Sequence, residues 1–219
     1  MLLGVIPARG GSKTIPRKNL HPLNGKPLID YTIEAAKASK LDDFVVSTED
    51  EEIKEHCSQF CKVIVRPDEL AQDATPMLPV VQQAVQEYEA KTGNTVDAVM
   101  LLQPTSPLRT AGDIDEAIEM FINSNIDSLV SVYEGIHPVK SYDQDGRPFL
   151  PQVPYDKHKH QCLTRNGAIF ITRRDLLDSG RLIGDSPLFY VMPKSRSIDI
   201  DDMDDLLVTE AILSKGEIQ

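Results

Sequence analysis

The chain has 219 residues, of which 41% are hydrophobic and 26% charged, a composition typical of a globular protein with a buried core. Its formal net charge of −11 argues against a protein that binds nucleic acid through the phosphate backbone. No apolar run reaches the ~20 residues that span a bilayer, and the N-terminus lacks the charged region and cleavage site of a signal peptide. We therefore expect no membrane association and a cytoplasmic location.

Segments typical of strands and of helices alternate along the chain. Apolar runs predict strands over residues 2–7, 44–48, 63–65, 96–102, 129–133 and 167–172. Helical spacing of apolar residues predicts helices over residues 28–38, 50–60, 77–91, 114–122 and 206–213. This alternation predicts an α/β fold of three layers, with a mostly parallel central sheet and helices on both faces, in a single domain over residues 1–219.

Residues 135–165 interrupt this pattern, because the stretch is rich in Pro, Lys, His, Asp and Gln and shows little apolar periodicity. We interpret it as a segment inserted into the domain, which contacts a substrate or another subunit. A surface loop without such a role is the alternative that composition leaves open.

The first predicted strand runs directly into a basic, glycine-rich loop. Gly10 and Gly11 lack the Cβ atoms that would keep backbone N–H groups from converging on an anion. The spacing matches neither the P-loop nor the dinucleotide fingerprint. The loop predicts a site for the polyphosphate of a nucleotide, and an ordinary turn at a solvated surface is the alternative. Its positive charges come from Arg9, Lys13, Arg17 and Lys18.

A second polar loop, residues 103–109, follows the strand predicted over 96–102. Its two prolines restrict the backbone, and the Gln103 amide can both donate and accept, as a contact with a sugar hydroxyl or a base edge requires. The alternative is a rigid turn in which Thr105 or Ser106 bonds the backbone.

A third loop, residues 199–205, carries five aspartates. If the backbone is extended there, Asp199 and Asp201 point to the same face, where a cation is needed to offset their repulsion. Mg²⁺ bound together with phosphate oxygens suits such a pair. An EF-hand is excluded because its required glycine would be Asp204. Capping of the last helix is the alternative function of all five carboxylates, and it is the favoured one for the later three.

Three weaker signals have an ordinary structural explanation beside a functional one. Asn19 could bond a base or ribose, or belong to a turn. Residues 73–75 could contact a ligand, although a cap for the helix predicted over 77–91 is favoured. Arg165 could face a carboxylate or water. Ligands of parallel α/β sheets bind at the carboxyl ends of the strands, so we expect residues 8–19, 103–109 and 199–205 to meet there.

Taken together, these motifs resemble one family, the acylneuraminate cytidylyltransferases, or CMP-nonulosonic acid synthetases. Residues 6–13 and 16–19 resemble its N-terminal nucleotide-binding motif, and residues 103–109 its second signature. Asn166-Gly167-Ala168-Ile169 is similar to a third, and Asp199-Ile200-Asp201 to the metal-binding aspartates. The order and spacing cover nearly the whole chain.

The resemblance implies a Rossmann-like nucleotidyltransferase that transfers CMP from CTP to the anomeric hydroxyl of a nonulosonic acid and releases pyrophosphate. It implies Mg²⁺ as the cofactor, held by Asp199 and Asp201, and a homodimer in which residues 135–165 pack across the partner. It implies substrate contacts from Gln103, Arg165 and Asn166. Catalytic roles fall to Arg9, Lys13, Asp199 and Asp201, and the nucleotide contacts to Ala8, Arg9, Gly10, Gly11, Ser12, Lys13, Asn19 and Thr75.

Two departures from the family pattern bear on the substrate. Thr14 stands where the family commonly has glycine, and residues 157–162 replace an Arg-Arg-Gln-like segment, so the acid could be of the legionaminic or pseudaminic type rather than the sialic type. Two alternatives stay open. One is a nucleotidyltransferase that uses another nucleotide or a sugar phosphate, and the other is a non-catalytic nucleotide-binding subunit.

Overall fold

The computed structural model describes residues 1–136 and 161–216. Its strands are β1 (Leu2–Pro7), β2 (Pro22–Leu23), β3 (Lys26–Pro27), β4 (Asp43–Thr48), β5 (Lys62–Val65), β6 (Ala98–Leu101), β7 (Ser128–Ile136), β8 (Gln161–Arg173) and β9 (Leu188–Val191). Its α-helices are α1 (Leu28–Lys37), α2 (Glu51–Cys57), α3 (Met77–Thr92), α4 (Ala111–Ile122), α5 (Arg174–Asp178) and α6 (Met203–Ser214). Short 3-10 turns lie at Lys18–Leu20, Asp68–Leu70 and Lys194–Arg196.

A seven-stranded sheet in the order β5-β4-β1-β6-β8-β7-β9 forms the centre of the molecule. Strands β5, β4, β1 and β6 pair in parallel, as do β7 and β9. Strand β8 is the exception, because it runs antiparallel to both of its neighbours. The predicted α/β fold with a mostly parallel sheet is therefore confirmed.

Helices cover both faces of the sheet, as parallel connections require. One apolar core lies between the sheet and helices α1, α2 and α4, and it includes Ile33, Ile53 and Ile118. A second core lies on the opposite face under α3 and α5, with Val81 and Leu177 among its members. The predicted three-layer arrangement is confirmed.

A third, smaller core joins the basic loop to the start of α6. Ile15 and Ile200 are both fully buried in it, and Leu206 of α6 packs beside them. Asp202 caps α6 by accepting from the backbone N–H groups of Asp204 and Asp205. The prediction that the later aspartates open this helix is confirmed, and the cap places Asp199 and Asp201 immediately before it.

Some local predictions differ from the structure. The proposed cap at residues 73–75 is wrong, because α3 begins after Pro76 and has no side-chain cap. Gly93 ends α3, with a φ of 73° that favours glycine. Strands β7 and β8 pair antiparallel as far as Ile136 and Gln161, and the greater part of the predicted insertion over 135–165 lies outside the described residues. No described helix is long and apolar enough to cross a membrane.

Candidate active site

The three polar loops meet in one cleft of about 570 Å³ at the carboxyl ends of β1 and β6. This meeting was predicted because ligands of parallel α/β sheets bind at the carboxyl ends of the strands. The cleft wall includes these residues proposed from the sequence: Arg9, Gly11, Ser12, Lys13, Asn19, Thr75, Gln103, Asp199 and Asp201. The described wall does not include Ala8, Gly10, Arg165 or Asn166.

The two glycines of the basic loop have different surroundings. A Cβ atom on Gly10 would lie 2.2 Å from Asp50 Oδ2, whereas one on Gly11 would meet no described atom within 4 Å. The Gly10 N–H donates to Glu49 Oε1 at 2.7 Å, and the Ala8 N–H donates to the Ser47 carbonyl at 2.9 Å. Inward-facing hydrogen bonds thus fix the start of the loop, and Gly11 opens onto the cleft.

Asp50, which is not part of the described cleft wall, anchors the loop. Its carboxylate accepts from the backbone N–H of Ile53 as the cap of α2 and from both terminal nitrogens of Arg17. The Arg17 hydrogen bonds hold the pKa of Asp50 below its usual value against the opposing effect of burial. Arg17 itself has a φ of 55°, an uncommon conformation for a residue with a side chain.

Arg9 and Lys13 converge on one carboxylate across the cleft. Arg9 Nη1 lies 2.5 Å from Asp73 Oδ1, and Lys13 Nζ lies 2.6 Å from Asp73 Oδ2. Lys13 and Arg9 lower the pKa of Asp73. Two cations that can share one carboxylate can also share the oxygens of a phosphate.

Arg66 adds a buried positive charge that no sequence motif indicated. Its side chain is 4% exposed and lines the cleft. Its Nη2 donates to the Ser47 carbonyl at 2.6 Å, while its Nε has no hydrogen-bond partner among the described residues. A single arginine after a short strand carries no local signal that distinguishes it from a surface residue.

Asp199 places a buried carboxylate oxygen on the cleft wall. This atom, Oδ1, has no hydrogen-bond partner among the described residues. Burial raises the pKa of Asp199, with Asp201 adding repulsion and Thr105 opposing the shift. An unpartnered carboxylate oxygen beside a second carboxylate in one cleft suits a divalent cation that also binds phosphate oxygens. Among the described residues, no group of three or more His, Cys, Asp or Glu side chains could hold a metal ion. The phosphate oxygens of a bound nucleotide would therefore have to complete the coordination.

The basic loop and the aspartate segment are bonded directly to each other. Lys18 Nζ donates to the carbonyl oxygens of Ile200 and Asp201 at 2.9 and 3.2 Å. The Thr14 hydroxyl also donates to the Asp201 carbonyl. The departure from glycine at position 14 therefore adds a contact that only a hydroxyl-bearing side chain can make.

We expect Thr14→Gly to lower catalytic efficiency about three- to tenfold, because one hydrogen bond of roughly 1 kcal/mol that fixes Asp201 is lost and the loop gains backbone freedom. Thr14→Ser, which keeps the hydroxyl, is the matched control and should stay near wild type. Steady-state kinetics at several Mg²⁺ concentrations measure the effect. Equal efficiencies for Thr14→Gly and wild type would show that the contact has no role.

Gln103 and Asp199 approach the same glycine. A Cβ atom on Gly167 would lie 2.9 Å from Gln103 Oε1 and 3.2 Å from Asp199 Oδ2, and its φ is 74°. The buried Arg109 holds the adjacent backbone, donating to the carbonyls of Gln103 and Ala168 at 3.2 and 3.0 Å. Gly167 thus leaves the space that Gln103 and Asp199 occupy. The sequence pointed to it only as part of the motif at residues 166–169 and gave it no role.

The remaining predicted residues are placed as follows. The Asn19 amide donates to the Arg9 carbonyl at 2.9 Å. The Thr75 hydroxyl donates to the Glu69 carbonyl at 3.3 Å.

Asn166 is 3% exposed, and its amide forms hydrogen bonds with Ser131, Ser197 and Ala168. Arg165 is exposed on β8. Ligand contacts by these four residues stay predictions.

Comparison with known proteins agrees with the geometry. The chain is 32% identical to the N-acylneuraminate cytidylyltransferase of Escherichia coli O18:K1:H7 over all of its length, but spans only 53% of that protein. It is also 32% identical to the pseudaminic acid cytidylyltransferase of Campylobacter jejuni, covering 93% of this chain and 92% of that protein.

The fold also matches a solved CMP:2-keto-3-deoxy-manno-octonic acid synthetase complexed with CTP. The TM-score is 0.72 at 18% identity, with 98% of this chain and 99% of that chain covered. The sequence model of the cytidylyltransferase family matches residues 3–202, a range that contains the first two loops of the cleft and both Asp199 and Asp201. The chain belongs to the cytidylyltransferase family.

Proposed function

We propose that this protein transfers CMP from CTP to the anomeric hydroxyl of a nonulosonic acid and releases pyrophosphate. The observation that carries the proposal is the cleft itself, because Arg9, Lys13, Asp199 and Asp201 all line one space of about 570 Å³. The two cations suit a triphosphate, and the two carboxylates suit a divalent cation. The relatives named for N-acylneuraminate and pseudaminic acid support the acceptor class.

In this proposal Arg9 and Lys13 release Asp73 and bind the triphosphate oxygens, and Gly11 and Ser12 form the adjacent surface of the loop. The oxygen of the acceptor hydroxyl attacks the α-phosphorus and its proton passes to solvent, while the bond from that phosphorus to the bridging oxygen breaks and pyrophosphate leaves. Lys13 offsets the charge that grows on the leaving oxygen. The contribution of the chain is then mainly positioning and electrostatic stabilisation.

Asp199 and Asp201 would hold Mg²⁺, and the unpartnered Asp199 Oδ1 is the atom that supports this assignment. When bound, the cation supplies positive charge to the phosphate oxygens. Gln103 would bond a hydroxyl of the sugar, and its place on the cleft wall supports this role. Arg66 lies on the cleft wall, with its Nε 3.9 Å from Glu49 Oε2, and adds positive charge on the side of the nucleotide.

The assembly and location belong to the same proposal. We propose a homodimer, in keeping with the family resemblance and with the exposed apolar side chains of Phe189 and Val191 on the edge strand β9. We propose a cytoplasmic location, where CTP is available.

The two curated relatives have equal identity to this chain but act, by name, on different acids, so the acceptor has to be found by assay. Pyrophosphate release should require CTP, Mg²⁺ and one acid from a panel of sialic, legionaminic, pseudaminic and deaminated nonulosonic acids. UTP, ATP and GTP should be at least tenfold poorer donors. Turnover with GTP or with a sugar 1-phosphate instead, or CTP binding without turnover on any acid, would contradict the proposal.

A further inference from the structure

The segment that carries Asp199 is held in place by a buried ion pair. Between β9 and α6 the chain forms the 3-10 turn Lys194–Arg196, and Asp199 follows three residues later. The Arg196 guanidinium donates twice to Asp113, with Nη2 at 2.6 Å from Oδ1 and Nε at 3.1 Å from Oδ2. This two-point contact fixes the orientation of the turn as well as its distance from α4.

The Asp113 end of the pair is rigid. Its side chain is 0% exposed and forms the capping box of α4 with Thr110. The Tyr190 hydroxyl on β9 lies 3.0 Å from Asp113 Oδ1 and 2.8 Å from Glu116 Oε2, so its one proton is shared between the two carboxylates. Arg196 is therefore bonded to a carboxylate that cannot move without disturbing a helix start and a strand of the sheet.

Two further bonds restrain the same segment. The Asn166 amide donates to the Ser197 hydroxyl at 2.9 Å. On the other side of Asp199, the Ile200 N–H donates to the Thr105 carbonyl at 2.8 Å. Asp199 thus lies between points that are fixed to α4, to β8 and to the polar loop after β6.

The Asp199 carboxylate itself lacks such restraints. Thr105 lies close enough to lower its pKa, but Oδ1 makes no hydrogen bond to a described residue, so its position in the cleft depends mainly on how the backbone around it is held. We propose that the Asp113–Arg196 ion pair is a positioning device that holds Asp199 in place for the divalent cation. This inference rests on the proposed metal role of Asp199. Groups that hydrogen-bond directly to a metal ligand typically change metal affinity by about 10–100-fold when they are removed, and we expect the lower end of that range here, because Arg196 acts on Asp199 through the backbone.

The test is Mn²⁺ affinity, measured by electron paramagnetic resonance on the whole protein with a non-hydrolysable CTP analogue bound. Arg196→Gln should weaken Mn²⁺ binding at least tenfold, and Arg196→Lys, which keeps the charge but not the two-point contact, should have an intermediate effect. Affinity for the analogue without metal should change less than twofold. Unchanged Mn²⁺ affinity in a folded Arg196→Gln variant would overturn the proposal.

Two controls separate positioning from general stability. Tyr190→Phe removes a hydrogen bond from Asp113 but leaves the Arg196 contact, so it should lower the melting temperature without changing Mn²⁺ affinity. An equal loss of Mn²⁺ affinity in Tyr190→Phe would overturn the proposal. If Arg196→Gln does not fold, Ser197→Ala loosens the same segment without leaving Asp113 unpaired, and it should weaken Mn²⁺ binding about threefold.

Asp199→Asn, measured in the same way, separates the positioning role of the ion pair from the metal role of Asp199. If it abolishes Mn²⁺ binding and Arg196→Gln does not weaken it, the positioning proposal alone is wrong. If Asp199→Asn retains Mn²⁺ affinity, the metal role of Asp199 fails and the positioning proposal fails with it.

Discussion

Replacing Asp199 with asparagine is expected to lower kcat at least a thousandfold while making the ligand-free protein more stable at neutral pH. The loss of activity follows because the neutral amide cannot offset the charge of a divalent cation. The gain in stability follows because the native Asp199 carries a charge that is largely buried and has an oxygen without a described partner. Function and stability therefore oppose each other at this residue.

The stability effect has a defined pH dependence. Burial raises the pKa of Asp199 in the folded protein above its usual value. The neutral form is therefore favoured by folding, and ionisation costs stability as the pH rises from the unfolded pKa through the folded one. Asparagine avoids that cost, so its advantage should be absent below the unfolded pKa and should grow to a plateau at neutral pH.

Thermal unfolding at pH 3 and pH 7 with parallel pyrophosphate assays measures both effects. Asp204→Asn is the matched control, because Asp204 is an exposed carboxylate on the first turn of α6 and should change neither activity nor stability strongly. An Asp199→Asn variant with more than a tenth of wild-type kcat would refute the catalytic role. A variant less stable than wild type at pH 7 would refute the account of its burial.

Gly10→Ala is expected to disrupt the basic loop. The new Cβ would lie 2.2 Å from Asp50 Oδ2 and 2.8 Å from Asp50 Cβ, and Asp50 cannot yield readily because Arg17 and the Ile53 N–H hold it. Overpacking of this kind costs about 1–3 kcal/mol of unfolding free energy. Displacing the loop by about 1 Å should also lower kcat/KM about a hundredfold.

Denaturant unfolding and CTP titration test this prediction. Gly11→Ala provides the comparison for stability, because its Cβ would meet no described atom within 4 Å, and its unfolding free energy should stay within about 0.5 kcal/mol of wild type. Equal stability of the Gly10→Ala and Gly11→Ala variants would contradict the packing described for Gly10. Wild-type CTP affinity in Gly10→Ala would contradict the role of the loop.

The strand and helix pattern predicted the layers of the fold because both parallel strands and amphipathic helices leave a periodic record in the sequence. It did not predict the direction of β8, since a strand buried on both faces reads the same in either direction. It also missed β9 and α5, which have 4 and 5 residues and are too short for a periodic signal. The wrong cap at residues 73–75 arose because Asp before a helix is usually a cap, whereas here Asp73 faces Arg9 and Lys13.

The site was predictable where chemistry is concentrated in consecutive residues, as in the glycine-rich loop and the aspartate pair. Arg66 and the Asp113–Arg196 pair were not predictable, because each acts through contacts between residues far apart in the chain. Asp113 and Arg196 are separated by 83 positions, and neither has an unusual local context. Their proximity is a property of the folded sheet rather than of any motif.

³¹P NMR of a reaction mixture identifies the chemistry of the transferred group. With CTP, Mg²⁺ and the acid that supports turnover, we expect equal amounts of pyrophosphate and of a single phosphodiester resonance from the CMP-sugar. A pair of coupled diphosphate resonances in the product would instead show transfer to a sugar phosphate. Unchanged CTP with every acid would contradict the account altogether.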